Sequence, residues 1–305
     1  MISYKPIEQF EDIIALWNRE IGFIYPIAHD VFSRNVITYE PKMVLGAYDE
    51  DTLVGFIIAK KCTDELLPEQ MKLGWISLFW VAKKARHQGI GTHLLQAAES
   101  YLSDKEEIKI GADIRNFFPG VPADFDHLTD EWLIKRGYTS LRTTHDLINT
   151  TPFELPLRNH NVQFSVGTKQ DEAGIVELLK TFSHRWAHQG IRYFEQGGDG
   201  REYVVAKDNG KVIAFARIND RKTDAEGYSI TWYPRFVNLG GIGPLGVLTE
   251  YRHLGLGYDI VAYAIKEMLN RGMIELMIDW TGLTTFYQQF GFEVWKTYQY
   301  MSKKA

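Results

Sequence analysis

The sequence predicts an α/β protein built as two tandem domains of one kind, each a central mixed, mostly antiparallel sheet flanked by helices. Three observations carry this. The stretch Val247–Gly257 (VLTEYRHLGLG) is an apolar run, a turn bearing Arg252, Gly255 and Gly257, and the start of a long apolar-periodic segment. It occurs once earlier, at Val81–Gly91 (VAKKARHQGIG), with Arg86, Gly89 and Gly91 in the matching places at a constant offset of 166 residues. The spacing also persists downstream: Asp113 follows Gly91 by 22 residues, and Asp279 follows Gly257 by 22. A fixed offset over a whole half of the chain is the mark of a duplicated unit. The length of 305 residues agrees, since one domain usually holds ~100–200.

The elements repeat in order. Phe10–Trp17 has apolar residues at 10, 13, 14, 16 and 17, which is helical spacing. Met43–Lys61 reads as two strands about an Asp49–Thr52 turn, and Leu73–Val81 is a third strand. The Arg86–Gly91 turn follows, then a helix placing Leu94, Leu95, Ala98 and Leu102 on one face. Ile108–Asp113 is a short strand. Asn116–Asp126 is a loop, because Pro119, Gly120 and Pro122 break both periodicities. Leu128–Arg136 is helical up to Gly137, and Tyr138–Ile148 alternates as a final strand. Thr151–Asn161 holds two prolines and little apolar order, so the domains are expected at 1–155 and 160–305. After it, Phe164 begins a strand, Glu172–Phe182 is helical, and Tyr203–Ile218 is a hairpin about Asn209–Gly210. A strand within Ile230–Val247, the second turn, its helix and the strand Ile274–Asp279 complete the copy. Gly137 and Gly291 are only 154 apart, which puts twelve extra residues in the first copy's proline-rich loop.

Composition narrows the class. The chain is 45% hydrophobic and 24% charged with net charge -5, as in ordinary globular protein. Up to Arg158 there are 17 basic and 23 acidic residues; the remainder has 17 and 16. Neither half has the basic footprint that nucleic acid requires. A single cysteine, Cys62, permits no intrachain disulfide and fits a reducing, cytoplasmic setting. The first residues lack a signal-peptide pattern, and no run of ~18 apolar residues is present to cross a membrane.

A strand feeding a glycine-rich turn that opens a helix presents free amides and the positive end of a helix dipole, which suits a pyrophosphate. A single R-x-x-G-x-G is equally the pattern of a tight turn with an incidental arginine. It is not the dinucleotide-binding G-x-G-x-x-G, and no phosphate-loop Gly-Lys-Ser/Thr is present. In full context, however, the sequence resembles the GNAT family of acetyl-CoA-dependent N-acetyltransferases. That family has a strand, then [Q/R]-x-x-G-x-[G/A], then a helix, and further on a helix with tyrosine four residues before Gly-aromatic. Both halves carry the first part, LFWVAKKARHQGIGTHLL and LGVLTEYRHLGLGYDIV; only the second carries the last, as Tyr287 before Gly291-Phe292. The first has Leu133 at that place.

The resemblance implies acetyl-CoA as co-substrate, held at Leu245, Val247, Arg252, His253, Leu254, Gly255, Leu256 and Gly257, and in the first copy at Val81, Arg86, Gln88, Gly89 and Gly91. It implies Tyr287 as the acid that protonates the departing thiolate, and direct attack by a primary amine in a ternary complex. The family often keeps a glutamate as general base on strands equivalent to Ile230–Val247, and none is present there. Asp279 is a candidate, against which stands its repeat at Asp113, since a residue kept in both copies more readily serves the fold. Trp280 stands where asparagine is common. The acceptor is expected against Ser183–Gly200, chiefly Trp186, Arg192 and Tyr193, as a small polar amine such as an amino sugar or amino-acid-like molecule. The histidines there have no carboxylate or cysteine partner in a metal-binding pattern, so no metal is expected. A non-catalytic CoA-binding or regulatory protein with degenerate domains of this type is the alternative. The acceptor, the acyl chain and the oligomeric state are not legible.

Overall fold

Two periodicities, 2 and 3.6 residues, account for the elements of the chain. The computed structural model describes residues 1–125, 128–158, 161–223 and 229–305. In chain order the first run is β1 (Ile2–Pro6), α1 (Glu11–Ile21), α2 (His29–Phe32), β2 (Lys42–Asp49), β3 (Thr52–Lys61), α3 (Pro68–Met71), β4 (Leu73–Val81), α4 (Ile90–Tyr101), β5 (Glu107–Ile110), β6 (Val121–Pro122), α5 (Leu128–Ile134) and β7 (Thr139–Asn149). The second run is β8 (Gln163–Val166), α6 (Glu172–Lys180), α7 (His184–Glu195), β9 (Tyr203–Asp208), β10 (Lys211–Asn219), β11 (Leu239–Val247), α8 (Leu256–Asn270), β12 (Glu275–Thr281), α9 (Thr284–Gln288) and β13 (Glu293–Lys304).

The chain divides into two units, Met1–Thr144 with Lys296–Ala305, and His145–Trp295. This differs from a cut at 155–160 in two ways. The last residues of β7 belong to the second unit, and most of β13 belongs to the first. In the first unit the sheet runs β1-β2-β3-β4-β5-β13, and Met301–Lys304 of β13 pair antiparallel with Glu107–Ile110. In the second it runs β8-β9-β10-β11-β12-β7, and Ile148 and Asn149 pair antiparallel with Met277 and Leu276. Each sheet is antiparallel except at one pair, β4 with β5 and β11 with β12. The reason for the difference lies in the repeat itself: each copy ends in a strand at the same place, so a periodic sequence does not say which sheet a terminal strand completes.

Each sheet carries helices on both faces. In the second unit α8 buries Leu256, Ile260, Val261, Ala264, Ile265 and Met268 against Ile213, Ala214 and Ile242. The opposite face packs Ile175, Leu178 and Leu179 of α6 and Tyr193 and Phe194 of α7 against Tyr203, Val205 and Phe215. Each fully buried aliphatic side chain contributes ~1.5–3 kcal/mol of hydrophobic stabilisation. In the first unit α4 buries Ile90, Leu94, Leu95 and Ala98 at the same helical spacing. The loop expected at Asn116–Asp126 departs from expectation, because it contains β6. Val121 and Pro122 pair with Gln299 and Tyr298. Phe118 turns inward against Trp17, Tyr25 and Tyr298. Apolar bulk outweighs the breaking residues there, and residues 117–122 of the longer first-copy loop are buried.

Candidate functional site

The two parallel strand pairs are short, and this creates the site. In the second unit β11 pairs with β12 only over Leu239–Gly241, with Glu275–Met277. Beyond that it diverges, because the β10–β11 register shifts between Ala216 and Ile218, opposite Gly243-Pro244. Leu245–Val247 remain paired to Ala214–Ala216 on one edge, and no pairing with β12 continues on the other. The first unit repeats the device. Its β3–β4 register shifts between Ile58 and Ala59, next to Ser77, and β4 leaves β5 after Ile76. Such a splay leaves backbone groups on one strand edge for an extended ligand.

The turn that follows has one geometry in both copies. Arg252 donates from Nε to the Val247 carbonyl at 3.1 Å, and Arg86 does the same to Val81 at 3.1 Å. Each arginine thus folds back to brace the end of its own strand. Gly255 (φ +73°) and Gly89 (φ +80°) adopt the left-handed conformation that carries the chain into α8 and α4. A Cβ at either would meet no atom within 4 Å, so the space above the turn is open. At Gly257 it would meet only Phe286 Cζ, at 3.8 Å. The helix N-terminus therefore faces an unfilled cradle, which fits a pyrophosphate. Among the residues expected there, Arg252, His253, Leu254, Gly255, Gln88 and Gly89 are exposed. Leu256 is not available through its side chain, which is fully buried in the core.

In the first unit the splay and the turn open into a cavity of about 420 Å³. Its wall includes Val81, Arg86, Gly89 and Gly91 at the turn and Trp17, Phe118, Trp132 and Leu133 deeper in. The Arg86 guanidinium also lies over Trp80, 4.9 Å from the ring centre.

The helices that follow place Leu133 and Tyr287 alike in their final turns. The Leu133 carbonyl accepts from the Tyr138 amide at 3.2 Å, and the Tyr287 carbonyl accepts from the Phe292 amide at 3.4 Å. Gly137 (φ +90°) and Gly291 (φ +81°) end the two helices alike. Tyr287 is 5% exposed, with Phe286 and Phe292 edge-on to its ring. Burial, and then the charge of Asp279, push its phenol above its ordinary value. It therefore holds its proton at neutral pH, the state a proton donor needs.

The repeated aspartates differ. Asp113 is buried and bonded by Lys60 Nζ at 2.5 Å and by the Ser77 hydroxyl at 2.9 Å. In the second unit the places of Lys60 and Ser77 are taken by Asn219 and Gly243. A Cβ at Gly243 would stand 3.5 Å from Asp279 Oδ1. Asp279 keeps some access to water, but the groups around it strip most of its solvation. Burial and the neighbouring Asp146 raise its carboxyl to about 7, with Arg185 acting against them. Asp146 in turn accepts from the Trp280 amide at 2.9 Å, holding a residue in the left-handed conformation (φ +50°) beside Asp279. Arg185 lies over the Trp280 ring at 4.7 Å.

Of the expected acceptor residues, Trp186 packs half-buried against Phe182 and Phe215. Arg192 pairs with Glu195 on α7 at 2.8 Å. Tyr193 of α7 packs in the core. It is 5% exposed and its hydroxyl accepts from the Gly200 amide at 2.9 Å. The sequence reading missed Asp146 as a neighbour of the site, whereas Arg185 falls within the Ser183–Gly200 segment expected against the acceptor. Asp146 lies on the strand that completes the second sheet, and no local signal marked it. Among the described residues no three His, Cys, Asp or Glu side chains stand together as a metal site would require, and no helix is long and apolar enough to cross a membrane.

Comparison with known proteins agrees with this geometry. The family model described as Acetyltransferase (GNAT) family matches residues 10–117 and 173–292. No curated protein matches the sequence. Among solved structures, the chain is similar to one described as a GCN5-related glucosamine N-acetyltransferase region in the fungal multi-domain GH3 beta-N-acetylglucosaminidase. That match has 23% identity and a TM-score of 0.88, and covers 99% of this chain but 38% of the other. A tandem GNAT protein from the clavulanic acid biosynthesis pathway matches at 12% identity and TM-score 0.69, covering 100% of this chain and 98% of that one. A GCN5-related N-acetyltransferase from Sphaerobacter thermophilus matches at 14% identity and TM-score 0.71, covering 99% and 95%. At these identities the likeness is one of fold.

Proposed function

Because the chain belongs to the acetyltransferase (GNAT) family, with two such domains in tandem, we propose that it is a cytoplasmic acetyl-CoA-dependent N-acetyltransferase whose second unit does the chemistry. Its acceptor is the primary amine of a small polar molecule, an amino sugar or an amino-acid-like compound. The observation that carries this reading is the asymmetry at the end of α5 and α9. Both copies keep the turn, and only the second places a hydroxyl, that of Tyr287, at the helical position where the first has Leu133.

Acetyl-CoA supplies the acyl group as a thioester. The backbone of Leu245–Val247 and the amides of Gly255–Gly257 would hold it. The amine attacks the carbonyl carbon directly, and Tyr287 gives its proton to the sulfur as the thiolate leaves. Placed acid–base groups of this kind contribute typically ~10²–10⁴-fold. The first unit keeps the turn and a cavity beside it but has no hydroxyl at that position, so it binds CoA without transferring the acetyl group.

An acetylation screen with acetyl-CoA, reading thiol release over a panel of amines, tests the activity. The panel starts with D-glucosamine, because the fungal region similar over this chain is described as a glucosamine N-acetyltransferase. Enzyme-dependent CoA release with at least one amine is the expected result. No release over the whole panel, with CoA still bound, would favour a non-catalytic CoA-binding protein.

A further inference from the structure

The two copies of one aspartate have been given opposite surroundings, and the contrast says what the second is for. Asp113 is neutralised by Lys60 and capped by Ser77, both within hydrogen-bond distance. Both bonds fall on Oδ2, so this carboxylate is held as the buried ion-pair partner of Lys60. Its repeat, Asp279, stands beside the equivalent bulge of its own sheet but has lost both partners. Asn219, at the place of Lys60, is fully buried and bonds instead with Ser229. Gly243, at the place of Ser77, offers no hydroxyl and leaves the space in front of Oδ1 open. A purely structural aspartate would have kept a partner or been lost. This one has been stripped of its cation and left where β11 and β12 part, on the side of the sheet break that Tyr287 senses through its charge.

We infer that Asp279 is the base that takes the proton from the acceptor amine, with Asp146 as the residue that positions it and tunes it. This rests on the second unit being the catalytic one. An amine reaches the site mostly as the ammonium, whose ordinary value is near ~10. The N–H bond breaks as its proton passes to the Asp279 carboxylate, and the electron pair stays on nitrogen. The C–N bond then forms as the C–S bond breaks, and the thiolate takes the proton of Tyr287. The new amide nitrogen, still carrying one proton too many, gives it to the Tyr287 phenolate directly or through water, Asp279 releases its own proton to solvent, and the site is restored.

The charged groups that act on Asp279 come from two elements, Asp146 on β7 and Arg185 on α7, and the neutral phenol of Tyr287 on α9 in turn feels the charge of Asp279. The like charge of Asp146 and the burial raise its carboxyl to about 7, and Arg185 lowers it. A base titrating near working pH is effective, because it is ionised and still proton-seeking. Asp146 also holds the Trp280 amide, so it fixes the strand bend next to the base.

The test uses the full chain with aspartate carboxyl carbons labelled with ¹³C, titrated by NMR from pH 4 to 9, and pH–rate profiles with D-glucosamine or another amine turned over in the screen. In the wild type one carboxyl should titrate near neutrality, and kcat/KM should fall on its acidic side. Asp279→Asn should remove that resonance and reduce kcat by ~10²-fold or more. Asp146→Asn keeps an oxygen for the Trp280 amide and removes the like charge. It should move both the resonance and the acidic limb to lower pH, a displacement that a merely structural role would not produce. An Asp279 carboxyl titrating in the ordinary carboxylate range, or an Asp279→Asn enzyme with full kcat, would overturn the inference. The two readings fail separately. If Tyr287→Phe abolishes turnover and Asp279→Asn does not, only the base is wrong. If neither change matters, or if no amine is acetylated, the second unit is not the catalytic one and the inference falls with it.

Discussion

Gly257→Asp isolates the proposed pyrophosphate cradle from the fold. Gly257 is the second residue of α8, and a Cβ there would meet only Phe286 Cζ at 3.8 Å, an ordinary contact. A carboxylate in the first turn of a helix is itself favourable, by ~0.3–1 kcal/mol. The variant should therefore fold with unchanged or slightly higher stability. Its effect on the ligand is opposite in sign. At ~5 Å and an effective dielectric constant of ~20, one pair of like unit charges costs ~3 kcal/mol. That is ~10²-fold or more in Kd, before any loss of space for the phosphates. Calorimetric titration with CoA reads both affinity and stoichiometry. Gly91→Asp is the matching change in the first unit, where the added atom would meet Phe79 and Trp132 at 3.5 Å. Two sites in the wild type and one in each variant would show that both turns bind. A folded Gly257→Asp protein with unchanged affinity and stoichiometry would refute the assignment of this turn.

Two further outcomes follow from the paired aspartates. Lys60→Met leaves Asp113 buried without its cation, so urea unfolding should show a loss of ~3–5 kcal/mol, and Lys60→Met with Asp113→Leu should lose less. A single variant as stable as the wild type would contradict the buried pair. Asp279 carries the reverse sign. Its carboxyl rises in the fold from 3.8 to about 7, so the native state holds a proton that the unfolded chain releases across that window. Stability falls as pH rises from 3.8 to about 7 and is level above it, a cost on the order of 4 kcal/mol. Asp279→Asn should therefore raise Tm at pH 8 and change it little at pH 4, measured by calorimetry. An equal effect at both values would contradict the shift.

The duplication, the two turns and the Tyr287–Leu133 asymmetry were legible because each is local: a strand, a turn and a helix cap within a few residues. Pairing across the chain was not. The equal spacing from Gly91 to Asp113 and from Gly257 to Asp279 conceals compensating changes. Helix α8 runs to Asn270, three residues past the equivalent of Tyr101. Correspondingly, Leu239 pairs with Glu275, two residues beyond the repeat of the Leu73–Glu107 pair. In the first unit Gly111 and Ala112, both at positive φ, take up the difference and bring Asp113 abreast of Ser77. The matching number was right about position and silent about surroundings. Repetition made Asp279 look structural, whereas Lys60 and Ser77, the partners that Asp113 has and Asp279 lacks, lie on other strands. The burial of Tyr193 was hidden for a related reason. An aromatic on an amphipathic helix looks the same whether it faces a ligand or Gly200, and here its hydroxyl is bonded to the Gly200 amide.

The central claim is that turnover depends on the second unit through one hydroxyl. The direct measurement is the steady-state rate of Tyr287→Phe with acetyl-CoA and an amine from the screen. The change keeps the ring and its packing against Phe286 and Phe292, so the fold should hold. If the hydroxyl protonates the thiolate, kcat falls by ~10²-fold or more while acetyl-CoA affinity is unchanged, the pattern of an interaction made in the transition state. Full kcat in the Tyr287→Phe enzyme would contradict the claim and move the chemistry away from this site.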